Sequence, residues 1–492
     1  MSPRTDRRAE DGVAMITALL VMFVISLLVA TMMYTNFHNS NASARNRSWG
    51  QAVHVAESGV QQAIAQLQST NGVAPVGTVT GTTTDGTFSY HITPKSRNRY
   101  QIDASGTVGT VASLSATRRL RVLMAPPRSF DYALFSLSDV TTKNNNVVCG
   151  DIWANTYVTV YQNDSVLAAD NSSCPDGSVG TGSVTAATGS IELQHNSQID
   201  GDAWSGGNDS SGEAITLANG ATIGGDAKAS SSSPGCADDP GHSQYEVVNG
   251  GSVSGSITAW GTISGSGPAT ARYSYTCTAA AATKTIPSFS FNPANYPSGT
   301  VHQYTFPTDY AAFNSYISAN RDNLSGVFYI QGGDSSTPVN LAGVSVGGDL
   351  TVVATTAPID ASQGIGDAAG NTADKVVVLA TFYAAPATGC STNGGNPGDC
   401  AIGIKNNFQP ISNSVNDAGN TAVLLYAPNG PVAFKNSASF LGAVYANNIQ
   451  VKNNMNVVYD PRVSQIVGFG DVTLDIDLWL ECAPGALTST SC

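Results

Sequence analysis

Near the N-terminus, the 21 residues from Val13 to Met33 carry no charge, and only Thr17, Ser26 and Thr31 interrupt them with hydroxyls. A secretory signal has an apolar core of roughly 7–15 residues with an A-x-A site close behind it. This run is longer, and its one A-x-A, Ala42-Ser43-Ala44, comes about three turns after Met33. About 20 apolar residues cross a bilayer core as a helix, so the length predicts a transmembrane segment. Arg4, Arg7 and Arg8 precede it, which by the positive-inside rule keeps the N-terminus in the cytoplasm and the rest of the chain outside.

The helical pattern continues past the membrane. Trp49, Val53, Ala56, Val60, Ala63 and Leu67 are spaced 4, 3, 4, 3 and 4, one face of a helix, while Gln51, Gln61, Gln62, Gln66 and Gln68 lie off it. No proline falls between residues 4 and 74. One helix over 13–68 is therefore expected, with Gly50 and Gly59 as its weakest points. The alternative is an anchor over 13–33 followed by a separate helix.

Beyond residue 68 the composition turns β-like. Over the whole chain only 12% of residues are charged, against 41% hydrophobic and 50 glycines. A net charge of −13, with no basic tract after the apolar run, gives nucleic acid no electrostatic footing. All eight cysteines lie outside the apolar segment: 149, 174, 236, 277, 390, 400, 482 and 492. An even count in an exported, loop-rich region reads as disulfides. The simplest pairing is sequential: Cys149–Cys174, Cys236–Cys277, Cys390–Cys400 and Cys482–Cys492. There is no C-x-x-C, and the six histidines are scattered, so no zinc site is read.

The short basic leader ending in Gly12, the following Val-Ala-Met-Ile-Thr-Ala-Leu-Leu, the half-apolar helix and "AESGVQQAI" at 56–64 resemble the N-terminal region of PilX-like minor pilins of type IV pili. The resemblance implies a leader over 1–12, cut between Gly12 and Val13 by a prepilin peptidase, with methylation of the new N-terminus. It implies residence in the inner (cytoplasmic) membrane with the C-terminal part outside, then transfer to the pilus and cell surface among other pilins. Major pilins carry Glu at the fifth mature position, where this chain has Thr17, and that points to a minor, assembly-priming or tip component.

The stretch 69–127 reads as a linker followed by a small pilin-like antiparallel sheet, with strands at 87–92, 99–106, 110–116 and 118–124. From 128 to 480 a motif recurs: apolar, any, Gly, Asp/Ser/Ala, apolar, any, small. Its copies are "VCGDIWA" (148–154), "IDGDAWS" (199–205), "IGGDAKA" (223–229), "VSGSITA" (253–259), "VGGDLTV" (346–352) and "FLGAVYA" (440–446). A second echo pairs 367–380 with 416–427. Such repeats, with Gly or Asn at φ > 0 corners, suit an irregular right-handed parallel β-solenoid. Insertions are expected at 230–244, 390–400 and 285–325, the last with a helix over 308–324. A β-sandwich or jelly roll is the alternative. Residues 481–492 form a tail with a cysteine pair. The expected fold is mostly β with one long N-terminal α-helix. The repeats are also similar to those of bactofilin-type polymer-forming proteins.

Catalytic signatures are absent: no Walker A loop, no H-E-x-x-H, no G-x-S-x-G and no EF-hand loop. Asp475 and Asp477, with Asp471 nearby, could form a carboxylate pair on one strand face, or a solvated face opposite Val472, Leu474, Ile476 and Leu478. Asp360, Asp367, Asn371 and Asp374 could gather Ca²⁺, the one cofactor considered, although their spacing matches no known loop. Trp153, Trp204, Trp260, Tyr157 and Tyr161 could stack on sugars or pack between rungs. The expectation is a non-enzymatic pilus subunit displaying a large β domain for adhesion or assembly, with a host-surface or glycan ligand. The alternatives are a membrane-anchored solenoid enzyme acting on polysaccharide and a bactofilin-like scaffold.

Overall fold

The structure, a computed structural model, describes residues 8–69, 75, 77–94, 100–109, 115–125, 130–230, 245–287, 291, 293, 299–368, 374–385, 390, 400–405, 420–436, 439–465 and 475–482. Residues 8–14, 69, 94, 125, 440, 464, 465, 475 and 477 are described by backbone alone. The chain forms two compact units, Met1–Ala125 with Val472–Cys492, and Pro126–Asp471.

In the first unit a single α-helix runs from Arg8 to Ser69, 62 residues without a break at Gly50 or Gly59. At 1.5 Å per residue it is about 93 Å long. The two-helix alternative is thereby set aside. Its C-terminal half lies on a five-stranded antiparallel sheet made, in spatial order, of Thr78–Thr82, Thr87–Pro94, Tyr100–Val108, Ala116–Ala125 and Asp475–Cys482. Ala56, Val60, Ala63 and Leu67 are fully buried, as the spacing predicts. They pack against Tyr90, Ile92, Ile102, Leu120, Val122 and Met124, each large apolar side chain contributing roughly 1.5–3 kcal/mol.

The N-terminal end of the buried face is turned slightly from the expected one. Trp49 remains 46% exposed beneath the Arg118 guanidinium, and Ala52 and Val55 are buried instead. Gly106 explains the shift. A Cβ there would lie 2.3 Å from the Ala52 carbonyl and 2.4 Å from the Ala56 amide nitrogen, so only glycine lets the strand meet the helix backbone at these small residues.

Three details of the expected sheet change. Thr78–Thr82, read as linker, is an edge strand. The strand expected at 118–124 is longer, Ala116–Ala125, and of the one expected at 110–116 residues 110–114 lie outside the described residues. The fifth strand comes from the far end of the chain. The expected boundaries put Asp475–Cys482 in the repetitive domain and its tail. It pairs instead with Ala116–Ala125, from Asp475↔Ala125 to Cys482↔Arg119. The second unit is thus an insertion between two adjacent strands of the first unit's sheet.

The second unit is a parallel β coil consistent with the expected solenoid, and every strand pair among its described residues is parallel. Its N-terminal part, 134–273, winds in short strands, and most pair with the strand three places on, which gives three sides. Leu134–Ser136, Ile152–Ala154, Val184–Ala186, Ala203–Ser205, Ala227–Ala229 and Ser256–Ala259 form one side. The C-terminal part, 301–459, uses longer strands, up to the 15 residues of Thr421–Lys435. The expected echo is a true neighbour relation: Lys375–Thr381 lies beside Thr421–Lys435 with Leu379↔Leu425 in register.

The spatial order of the two parts reverses the chain order. Ser439–Lys452 and Asn456–Tyr459 pair with all three strands of the first turn, through Val444↔Leu134, Ile449↔Val140 and Val458↔Cys149. One column of aligned residues crosses the whole stack: His302, Phe328, Val352, Leu379, Leu425, Val444, Leu134, Ile152, Val184, Ala203, Ala227, Ile257 and Arg272. The residues between the polar ends are at most 1% exposed. At about 4.8 Å per strand the column is about 58 Å long. The helix Tyr310–Ala319, shorter than the expected 308–324, packs Phe313 on Tyr304, Phe306 and Phe328 at the His302 end.

To connect its two parts the chain returns along the stack as a strap. Thr276 N donates to Ala259 O, and Thr278 Oγ1 bonds Ser230 Oγ. Lys284 exchanges hydrogen bonds with the Asn155 side chain. Tyr426 OH donates to Pro287 O, and Phe291 stacks on Tyr329.

The recurring motif has a specific physical role. Its polar fourth position, and Ser183 at the same place in the turn between the first two copies, bond across to the next turn: Asp151 Oδ1 accepts from Ser183 N at 2.9 Å, Ser183 Oγ from Asp202 N at 3.1 Å, Asp202 Oδ1 from Asp226 N at 2.8 Å and Asp226 Oδ1 from Ser256 N at 2.9 Å. The preceding glycine leaves room for that carboxylate, since a Cβ at Gly225 would sit 2.2 Å from Asp202 Oδ1. Among the described residues seven asparagines, Asn144, Asn163, Asn196, Asn436 and Asn453 included, hold positive φ. Asparagine tolerates that left-handed conformation through its short polar side chain.

Candidate functional site

On the helix, Gly12 and Val13 lie within the continuous segment that starts at Arg8. Thr17 sits in the stretch from Met15 to Phe37, exposed throughout. This is the one helix among the described residues long and apolar enough to cross a membrane. Its hydroxyls are satisfied internally: Ser26 donates to Met22 O and Thr31 to Leu27 O, both at 2.8 Å. No polar side chain is therefore left bare in the apolar half.

Two of the expected disulfides are present, Cys149–Cys174 and Cys390–Cys400. Cys277 and Cys482 are also disulfide-bonded, while Cys236 and Cys492 lie outside the described residues. Disulfides fit an extracytoplasmic compartment.

The candidate Ca²⁺ carboxylates are otherwise engaged. Asp367 accepts from the buried Lys375 Nζ at 2.8 Å and from Thr421 Oγ1. Asp374 pairs with Arg462 at 3.6 Å, and Asp360 accepts from Ser362 N. Asn371 lies outside the described residues, and among those described no three His, Cys, Asp or Glu gather as metal ligands. Asp475 and Asp477 are on the first unit's antiparallel sheet, not on the coil, and Asp471 is outside the described residues. The aromatic residues do not form one sugar platform. Trp153 is 6% exposed, with Lys284 of the strap 4.3 Å above its ring. Trp204 donates to Ser230, which also bonds the strap, and Trp260 is half-buried against the core. Tyr157 stays 44% exposed. Tyr161 has a different neighbour.

That neighbour is Lys143, whose Nζ lies 4.4 Å from the Tyr161 ring centroid. Lys143 ends a column that sequence reading missed. Lys405 is in register with Lys435, Lys435 with Lys452, and Lys452 with Lys143, so four lysines occupy one position on four consecutive strands. Like charges opposite one another are unfavourable. Burial, and then the charges of Lys143 and Lys435, push Lys452 down to about 8. Among the described residues no carboxylate pairs with Lys143, Lys405 or Lys452. Gln450, two residues before Lys452 on the same strand, keeps a buried Oε1 without a hydrogen-bond partner. A signal for the column does exist in the sequence. Each lysine precedes an asparagine, in "TKNNN" (142–146), "IKNNF" (404–408), "FKNSA" (434–438) and "VKNNM" (451–455), and these four are half of the chain's eight lysines.

A second buried ionisable group lies close by. Asp164 is 1% exposed and accepts from Asn146 N at 2.7 Å, while its Oδ2 has no partner. Burial outweighs these hydrogen bonds and raises its carboxyl to about 6.

No protein-family model, curated protein or solved structure matches the chain.

Proposed function

We propose that this chain is a minor subunit of a type IV pilus or a related fibre, and that it carries the parallel coil as a displayed domain for adhesion or assembly. The observation behind this reading is the two-part helix. One half is apolar and bare, and the other is seated on a small antiparallel sheet. A bare apolar surface of this length has two natural surroundings, a bilayer and the apolar helices of other subunits. In this reading the inner membrane holds the helix until a prepilin peptidase cuts between Gly12 and Val13, after which the same surface packs among other pilins. Thr17 in place of a fifth-position Glu suits a priming or tip role. The coil contributes no chemistry of its own in this reading and presents a binding surface.

Mass spectrometry of the mature N-terminus, on protein recovered from sheared surface fibres, tests the reading. A methylated chain beginning at Val13 in the fibre fraction is the expected result. A chain beginning at any other residue, or its absence from fibres, overturns it.

A further inference from the structure

We propose that Arg272 closes one tip of the coil against a second copy of this chain, and that its loss would let two coils join tip to tip. The inference goes beyond the pilus reading, which concerns the helix and not the ends of the coil.

A parallel coil has an edge at each tip, because its last turn offers backbone groups that a further turn would have taken. The earlier turns show what is on offer near Arg272. Leu217 O accepts from Gly250 N at 2.8 Å and, one turn on, Asn249 O accepts from Gly267 N at 3.1 Å. Gly265 holds the same place in the last turn, one residue after Ser264 as Asn249 is one residue after Val248. Among the described residues no strand follows to meet its carbonyl, and Arg272 takes it instead. Arg272 Nη1 donates to Gly265 O at 2.9 Å, and Nη2 donates to Gly267 O, which also accepts from Asn249 Nδ2. Arg272 stands in register with the fully buried Ile257, at the inward position of the central column. From there its guanidinium reaches the 265–267 corner and so spans the end of the core. An inward-pointing charge is one of the devices that keep a sheet edge from pairing, and two such tips brought together would oppose like charges. The other tip is closed by different means. Asp309 takes both backbone groups of Thr305, its Oδ2 accepting from Thr305 N and its N donating to Thr305 O, each at 2.8 Å. The helix that follows, Tyr310–Ala319, buries Phe313 completely against the last strands. One tip thus depends on a helix and the other on one side chain. Removing Arg272 would uncover one tip per chain, so two copies would pair about a two-fold axis and growth would stop there.

The test uses the full chain in detergent. Light scattering gives the protein mass over a wide range of concentration, and negative-stain electron microscopy shows where coils touch. Association through the apolar helix is common to all variants, and the images separate it from contact between coils. Wild-type coils should not join at their tips. Arg272→Leu and Arg272→Ala should each double the wild-type mass at high concentration, as pairs joined at one tip. The alanine variant separates loss of the cap from any attraction created by an added leucine. Arg272→Lys should behave as the wild type, because the ammonium keeps the charge and can still donate to a carbonyl. Arg272 is exposed, so circular dichroism and thermal unfolding should show the fold intact in all three variants. Wild-type coils joined at their tips, unpaired Leu and Ala variants, pairing by the Leu variant alone, filaments in place of pairs, or unfolding in place of pairing would each overturn the proposal. The assay does not involve fibres. A negative result leaves the fibre reading standing, and absence from fibres leaves a positive result standing.

Discussion

The two parts of the coil solve the same stacking problem with different materials. In 301–459 the strands are long and their inner positions large: Phe328, Val352, Leu379 and Leu425 occupy consecutive places in the central column. In 134–273 the strands have two to five residues, and the column narrows to Val184, Ala203 and Ala227. There the Gly-Asp motif adds bonds between turns that the longer strands largely lack. The motif copies at 346–352 and 440–446 run through single strands instead of turning a corner, and only Asp349 repeats the bond, to Val376 N at 2.9 Å. Apolar volume holds one part together. In the other, thin apolar contact is supplemented by polar bonds at the corners.

The largest effect should come from removing volume where volume dominates. Leu425→Ala, at a fully buried site, should cost about 3–4 kcal/mol in urea unfolding. A loss below about 1 kcal/mol would mean that the C-terminal part does not depend on packing as argued. Next comes the room reserved for the corner carboxylates. In Gly225→Ala the new methyl would meet the Gly201 carbonyl carbon at 2.8 Å as well as Asp202 Oδ1, so a loss of about 2–3 kcal/mol is expected.

A pH effect of similar or smaller size should be confined to the N-terminal part. The folded state holds the Asp164 carboxyl up at about 6, above the ordinary value of about 3.9. Between those values the folded state binds more protons than the unfolded one, so stability should fall as pH rises from about 4 to about 6. Asp164→Asn should flatten that slope and leave stability at pH 7 equal or higher by about 1–2 kcal/mol. An unchanged slope in the variant would assign the dependence elsewhere. The smallest effect belongs to a single corner bond. Asp226→Ala removes an acceptor held below its usual pKa range chiefly by the Ser256 amide, with help from Lys228. It should cost about 1 kcal/mol and speed hydrogen exchange at Ser256 before any global change.

The sequence made the local rules legible and left the long-range ones hidden. Spacing alone located the buried residues Ala56, Val60, Ala63 and Leu67, because a helix repeats within a few residues. The Gly-Asp repeat announced a parallel coil, because each copy sits in the same local geometry. Three features were not legible. Alternation in 475–482 specifies a strand but not its partner, so its place beside Ala116–Ala125 could not be foreseen. The pairing of the last turn with the first joins residues some 310 positions apart, such as Val444 and Leu134, and no local pattern encodes that. The lysine column was in plain view as four Lys-Asn pairs. The asparagines drew attention as corner formers, and the lysines matter only once register sets them side by side.

The reversed order of the coil has a mechanical consequence. The strands on either side of the insertion are hydrogen-bonded to each other in the first unit's sheet. Load carried by that sheet need not pass through the inserted coil. A force applied to the coil itself arrives differently. Its chain ends lie at mid-stack, where Tyr459 OH donates to Phe130 O at 2.6 Å, so such a force would bear on the seam between first and last turns. Neither tip of the stack is a chain end that could fray. That seam joins Val444, Ile449 and Val458 of the last turn to Leu134, Val140 and Cys149 of the first.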